Sequence, residues 1–138
     1  MTVATEIPVQ RIAKSKIDTV DFNNLGFGNY ISDHMLVADF KNGKWHQPKI
    51  MPFGELAMTP AILALHYGQS IFEGMKAFKN KAGEIVIFRI QRHHQRLNRS
   101  LERMCMPPIS EEMFTESLSS LIATDAAWVP TSEGSALY

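Results

Sequence analysis

Apolar and polar residues alternate imperfectly over residues 30–40. The alternation over residues 30–40 predicts a strand, and its irregular middle indicates burial on both faces. The Asn42-Gly43 pair that follows is typical of a two-residue hairpin turn, because both residues tolerate positive φ. Residues 44–50 are expected to return as the partner strand, and Pro48 predicts that this strand is short or lies at an edge.

The next segment predicts a short helix and a second hairpin. Thr59-Pro60 is a plausible helix start, since proline is favoured at the first helical position, and such a helix must end by Gly68. Residues 75–78 and 85–88 predict two more strands joined by a loop.

Apolar residues recur at helical spacing beyond residue 90. The stripe of the first helix repeats at intervals of four and three residues and consists of Ile90, His94, Leu97, Leu101 and Met104. Pro107-Pro108 ends this helix, and Ser110 is a good N-cap for a second one. The buried stripe of the second helix is predicted to contain Phe114, Leu118, Leu121 and Ile122.

These elements predict an α+β fold, with antiparallel hairpin strands forming a sheet and two helices packed on it. Residues 1–24 are polar and aperiodic and are interpreted as an N-terminal arm that needs another surface to lie on. Residues 25–138 form the predicted domain. Residues 135–138 read as the beginning of another strand, so we expect the chain to be the front portion of a longer protein.

Composition gives no reason to expect nucleic acid or an anionic membrane as a partner, because the formal net charge of the 138 residues is zero. No apolar run approaches the roughly 20 residues needed to cross a bilayer, and no targeting peptide is evident. Cys105 stands alone and is expected to be a core thiol in a reducing compartment, so the default location is cytoplasmic. The histidines show no metal-ligand spacing.

Four arginines lie within a sector of roughly 60° on the first long helix, mostly opposite its apolar stripe. They are Arg92, Arg96, Arg99 and Arg103. A solvated basic face is the ordinary interpretation of such a cluster. Arg96 lies nearest the border of the stripe, where an arginine can run its stem along apolar surface and place a planar guanidinium in a cleft that binds phosphate.

The most informative stretch is Leu65-His66-Tyr67, followed by Phe72-Glu73-Gly74-Met75-Lys76-Ala77-Phe78. It resembles the signature of branched-chain amino acid aminotransferases, which are fold type IV enzymes that use pyridoxal 5'-phosphate. The resemblance extends from about Phe27 to Tyr138. It implies the small N-terminal domain of such an enzyme, truncated, with the C-terminal cofactor domain absent.

The resemblance also implies roles for four residues. Arg96 stands three residues before an Arg-Ser pair, where the family keeps its cofactor-phosphate arginine. Phe27, Tyr67 and Tyr138 match rings that line the family's substrate pocket. Such rings can remove a branched alkyl group from water, worth about 1.5–3 kcal/mol when the group is fully buried. Glu73 is interpreted as a structural residue that holds the bend.

For a complete enzyme the resemblance implies transfer of the amino group of Leu, Ile or Val to 2-oxoglutarate by a homodimer. The imine-forming lysine of the family is not found, because Lys76, Lys79 and Lys81 are hairpin lysines. We therefore expect this chain alone to be inactive. Two alternatives remain open: a non-catalytic binding or assembly module derived from the domain, and another fold type IV enzyme such as a D-amino acid aminotransferase.

Overall fold

The computed structural model describes residues 6–138 and has an α+β architecture, as the sequence predicts. The strands are β1 (His34–Val37), β2 (Phe40–Lys41), β3 (Lys44–Trp45), β4 (Lys49–Pro52), β5 (Ala77–Lys79) and β6 (Ile85–Ile87). The helices are α1 (Leu63–Tyr67), α2 (Ile90–Arg103) and α3 (Glu111–Thr124), and 3-10 turns occupy Ile17–Thr19 and Ala126–Trp128.

The first hairpin turns at the predicted residues. Asn42 and Gly43 have φ of 55° and 76°, and β2 and β3 pair across them. The flanking strands are shorter than expected, because each predicted strand breaks in two and β1 pairs separately with β4. Pro48 lies at the break before β4, where it has no N–H to donate to a ladder. The described strands therefore form three two-stranded antiparallel sheets instead of one continuous sheet.

Of the predicted N-terminal arm, residues 1–5 lie outside the described part of the chain, and residues 8–16 lie against β4 and the residue before β1. Ile50 donates its N–H to the carbonyl of Pro8 at 2.9 Å and accepts from the N–H of Gln10 at 2.8 Å. The carboxylate of Asp33 accepts from the hydroxyl of Ser15 and the N–H of Lys16. The predicted arm was expected to need a surface to lie on. For residues 8–16 that surface is β4 together with Asp33, the residue before β1.

The long helices begin and end close to the predicted positions. Ser110 caps α3 by accepting from the N–H of Met113 at 3.1 Å, which confirms the predicted N-cap. The short helix was predicted too long at its start. Residues 59–62 form a turn, in which the N–H of Ile62 bonds to the carbonyl of Thr59, and α1 ends at Gly68 in the left-handed conformation.

Helix α3 packs on β1, and α2 packs on α3. Among residues 6–138, the buried apolar side chains are Ile50, Ala77, Leu101, Phe114, Trp128 and Val129. Leu137 pairs with Ala77 through two backbone hydrogen bonds of 2.8 and 3.0 Å, so the end of the chain runs antiparallel beside β5. Among residues 6–138, no helix combines the length and the apolar character that crossing a bilayer requires.

Candidate functional site

The signature segment lies along α2 and is tied to it at two points. The side-chain amide of Gln69 donates to the carbonyl of Met104 at 2.8 Å. Further along, the carboxylate of Glu73 meets the imidazole of His93 and the guanidinium of Arg96. Because α2 packs on α3, these ties fix the signature segment relative to the core.

Arg96 and Glu73 form the central contact of the site. The Nε of Arg96 lies 2.8 and 3.1 Å from the two carboxylate oxygens, and its Nη2 also bonds to Oε1. The Glu73 side chain is only 5% exposed, whereas that of Arg96 is 57% exposed. The pair therefore has one buried member and one that faces solvent.

The ionisation of this pair follows from its hydrogen bonds. The bonds from Arg96 lower the pKa of Glu73; burial opposes them, and a bond of 2.8 Å to Nδ1 of His93 adds to the lowering. The hydrogen bond to Glu73 likewise raises the pKa of Arg96 above its usual value. Both groups are accordingly charged at neutral pH, and because its pKa is lowered the carboxyl of Glu73 becomes protonated only at a more acidic pH than an ordinary glutamate.

Two of the aromatic residues that the resemblance singled out lie together. The rings of Phe27 and Tyr138 have centroids 5.4 Å apart and meet edge to face at 62°. They line a hollow of about 260 Å³, which Tyr30, Trp128 and Leu137 also line. Its lining is mainly apolar in residue type, so an alkyl group of a few carbons would be removed from water there.

Gly74 lies between Arg96 and this hollow. Its carbonyl oxygen is 3.4 Å from Nη2 of Arg96. The Tyr138 ring packs against its Cα, and a β-carbon built there would lie 3.1 Å from two ring carbons. One backbone residue thus separates the guanidinium from the ring that closes the hollow.

Tyr67 lies apart from the other three residues. Its side chain is exposed at the end of α1, its nearest aromatic neighbour is the ring of His66 at 6.4 Å, and it does not line the hollow. The structure therefore places Phe27 and Tyr138 at one hollow, with Arg96 outside its lining on the other side of Gly74, while the pocket role of Tyr67 stays a prediction.

The sequence interpretation missed the partner of Arg96. Glu73 was assigned only to the bend, although a carboxylate beside a glycine in the signature and an arginine at the stripe border were both visible. Cys105 was expected in the core, and that prediction was wrong: its side chain is exposed at the end of α2. Within residues 6–138, no three His, Cys, Asp or Glu side chains converge to hold a metal ion.

Comparison with known proteins gives one consistent result. The chain is 44% identical to branched-chain-amino-acid transaminase 1 of Bacillus subtilis over 119 residues, which are 86% of the chain and 33% of that protein. It is 43% identical to a probable branched-chain-amino-acid aminotransferase of Staphylococcus aureus over all of the chain and 38% of that protein. The chain belongs to the branched-chain aminotransferase family. No profile of a known protein family matches it.

A third member of the family, from Mycolicibacterium smegmatis, is 44% identical over 80% of the chain and 30% of its own length. The chain thus spans about a third of the length of the branched-chain aminotransferases that it matches. Most residues of the chain align with these aminotransferases. The residues and functions of the other two thirds of those relatives have no counterpart in this chain.

Proposed function

We propose that this chain is the part of a branched-chain aminotransferase that holds the cofactor phosphate and receives the substrate side chain. The complete protein would transfer the amino group of Leu, Ile or Val to 2-oxoglutarate. The observation that supports this most is the adjacency of Arg96 and the apolar hollow across Gly74, in a chain 40–45% identical to enzymes of that name.

The residues of the site fit pyridoxal 5'-phosphate as the cofactor. An exposed guanidinium on a rigid helix suits a phosphate ester, because arginine offers several donors in one plane. When bound, this cofactor supplies the electron sink for amino transfer. Arg96 would bind and orient its phosphate, while Phe27 and Tyr138 would exclude water from the branched alkyl group of the substrate.

A second subunit and the cytoplasm are also part of the proposal. The chain, of 15.6 kDa, exposes 10250 Å² of surface. A compact monomer of this mass exposes about 7,300 Å². The excess includes exposed apolar side chains at Leu65 and Phe72, which favours burial by the remaining two thirds of the protein and by a homodimer partner. The single, exposed thiol at Cys105 favours a reducing compartment.

Binding of a phosphorylated ligand tests the role of Arg96. Pyridoxine 5'-phosphate and pyridoxine differ only in the phosphate and have no aldehyde, so surface lysines do not react with them. We expect the chain to bind the phosphorylated form more tightly and Arg96→Ala to abolish that preference. Arg92→Ala is the matched control, because Arg92 lies on the same helix and its side chain, within residues 6–138, bonds only to Gln95 on the exposed face. Equal loss in both variants would contradict the proposal.

Turnover tests the other half of the proposal. We expect the chain with leucine, 2-oxoglutarate and pyridoxal 5'-phosphate to form no glutamate. Co-expression with the remaining two thirds of a relative such as the Bacillus subtilis transaminase should restore glutamate formation, and Phe27→Ala should then raise the KM for leucine. Turnover by the 138-residue chain alone would show that the expected inactivity is wrong.

A further inference from the structure

Glu73 holds Arg96 by an unusually complete set of contacts. Both carboxylate oxygens accept from Nε of Arg96, and Oε1 also accepts from Nη2. The same oxygen lies 2.8 Å from Nδ1 of His93, one turn earlier on α2. With its side chain 5% exposed, the carboxylate has little freedom to leave this arrangement.

The donors of Arg96 are divided between two sides. A guanidinium has five N–H groups in one plane. Those on Nε and Nη2 face Glu73 and the carbonyl of Gly74. Nη1 makes no hydrogen bond to any residue between 6 and 138, and the side chain as a whole is 57% exposed. The edge directed away from Glu73 is therefore the one that a ligand can reach.

A fixed guanidinium binds an anion more tightly than a mobile one, because its rotamer entropy is already lost before binding. The negative charge of Glu73 works in the opposite direction, since it partly neutralises Arg96. We expect the affinity gained from the fixed orientation of Arg96 to exceed the affinity lost through partial neutralisation of its charge. The carboxylate oxygens lie on the Nε side of the guanidinium, and His93 also bonds to one of them. A freely mobile arginine would keep more net charge but would have to be ordered by the ligand.

We propose that Glu73 is a positioning residue, which fixes the guanidinium of Arg96 so that its Nη1 edge faces the phosphate group of the ligand. This inference rests on the function proposed above, in which Arg96 binds the cofactor phosphate. It gives the buried acid of the signature a role beyond holding the bend. His93 supports the same arrangement from the neighbouring turn of α2.

The test compares Glu73→Gln with Glu102→Gln, a matched loss of one carboxylate on the exposed face of α2. The first readout is hydrogen exchange at the Nε–H of Arg96, followed by NMR without ligand. The second is the affinity ratio of pyridoxine 5'-phosphate to pyridoxine. In Glu73→Gln we expect fast Nε–H exchange and a ratio reduced by about tenfold, within the range of couplings between contacting residues. Glu102→Gln should change neither.

Two further variants show whether Glu73 acts through Arg96. In the Arg96→Ala background, Glu73→Gln should cause no additional loss of phosphate preference. Glu73→Asp keeps the charge but shortens the side chain, so exchange and affinity should lie between those of the native chain and Glu73→Gln. Far-UV circular dichroism verifies folding, and Glu73→Asp serves for both readouts if Glu73→Gln does not fold.

The possible failures are distinguishable. A native chain without phosphate preference overturns the proposed function, and with it the phosphate-directed role of Glu73. A native chain with that preference, which Glu73→Gln leaves unchanged, overturns the positioning role alone. Tighter phosphate binding by Glu73→Gln would show that Glu73 competes with the ligand for Arg96, and would overturn the positioning role as well.

Discussion

The ring of Tyr138 occupies the space beside Gly74 where any other residue would place its β-carbon. That carbon would lie 3.1 Å from two ring carbons and closer still to the hydroxyl oxygen. The same glycine contacts Arg96 through its carbonyl oxygen. The absence of a side chain at residue 74 thus allows the hollow and the arginine to approach one another.

Gly74→Ala should displace the Tyr138 ring and open the hollow. Because Tyr138 is 63% exposed, the ring can swing away, and we expect the free energy of unfolding to change by less than about 1 kcal/mol, below the usual cost of overpacking. The measurement is the loss of NMR cross-peaks between the rings of Phe27 and Tyr138. Gly54→Ala is the control, since its β-carbon would meet no atom within 4 Å. Retention of the cross-peaks in Gly74→Ala would contradict the prediction.

The parts of the fold that were predicted correctly are the ones set by neighbouring residues. The four-and-three spacing of α2, the Ser110 cap and the Asn42-Gly43 turn each depend on a few adjacent positions. The strands around the first hairpin were predicted too long, because alternation of residue types does not show where backbone pairing stops. Residues 38–39 and 46–48 lie between the β2–β3 pair and the β1–β4 pair and belong to neither.

The candidate site was predicted in part for the same reason. Arg96 could be found because its position on the helix, at the border of the apolar stripe, is a local property. Its pairing with Glu73 and the contact between Gly74 and Tyr138 depend on how distant segments meet, which no spacing along the chain encodes. The resemblance supplied Phe27 and Tyr138, and the structure added that their rings touch.

The lowered pKa of Glu73 predicts a loss of stability in acid. In the unfolded chain this carboxyl has its ordinary value, 4.5. The unfolded chain therefore binds more protons as the pH falls, and the stabilisation present above that value is lost as the pH drops through the lower pKa of the folded state. Urea unfolding measured from neutral pH downwards should show this decline, and Glu73→Gln should make it shallower.

A second carboxyl, Asp33, contributes to the same acid sensitivity. Burial acts to raise its pKa, but bonds from the N–H of Lys16, the hydroxyl of Ser15 and the ring N–H of Trp128 lower it overall from 3.8. Some decline should thus persist in Glu73→Gln at more acidic pH. Stability that is independent of pH in the native chain would contradict both assignments.

Asp125 and His34 connect Ile12, in the N-terminal segment, to the core. Asp125 accepts from the backbone N–H of His34 at 2.9 Å and lies 2.6 Å from its Nδ1, while Nε2 accepts from the N–H of Ile12 at 3.2 Å. Both side chains are buried. Asp125→Asn should therefore lower the free energy of unfolding by about 1–3 kcal/mol, because a buried donor loses its acceptor.

Hydrogen exchange shows whether the lost hydrogen bond between Asp125 and His34 also weakens the bond from Ile12 to His34. We expect the amide of Ile12 to exchange faster in Asp125→Asn, since the imidazole that accepts its proton is no longer held in place. Asp18→Asn is the control, as Asp18 is exposed. Equal exchange at Ile12 in the two variants would mean that His34 does not depend on Asp125 for its position.

Cys105 ends α2 in a conformation that favours glycine. Its φ is 52°, and the N–H of the next residue, Met106, donates back to the carbonyl of Leu101 at 2.8 Å, as at many helix ends that place glycine there. A left-handed conformation costs a residue with a β-carbon about 1–2 kcal/mol, whereas glycine gives back roughly 0.5–1 kcal/mol as extra entropy of the unfolded chain. Cys105→Gly should therefore raise the free energy of unfolding by up to about 1 kcal/mol.

The control for this substitution is Cys105→Ala, which removes the thiol but keeps the β-carbon. It should stay within about 0.5 kcal/mol of the native chain, as expected for an exposed position. Urea unfolding of the three proteins at neutral pH gives the comparison. If the glycine variant were no more stable than the alanine variant, the backbone at residue 105 would not be strained, and the thiol would have to account for any difference from the native chain.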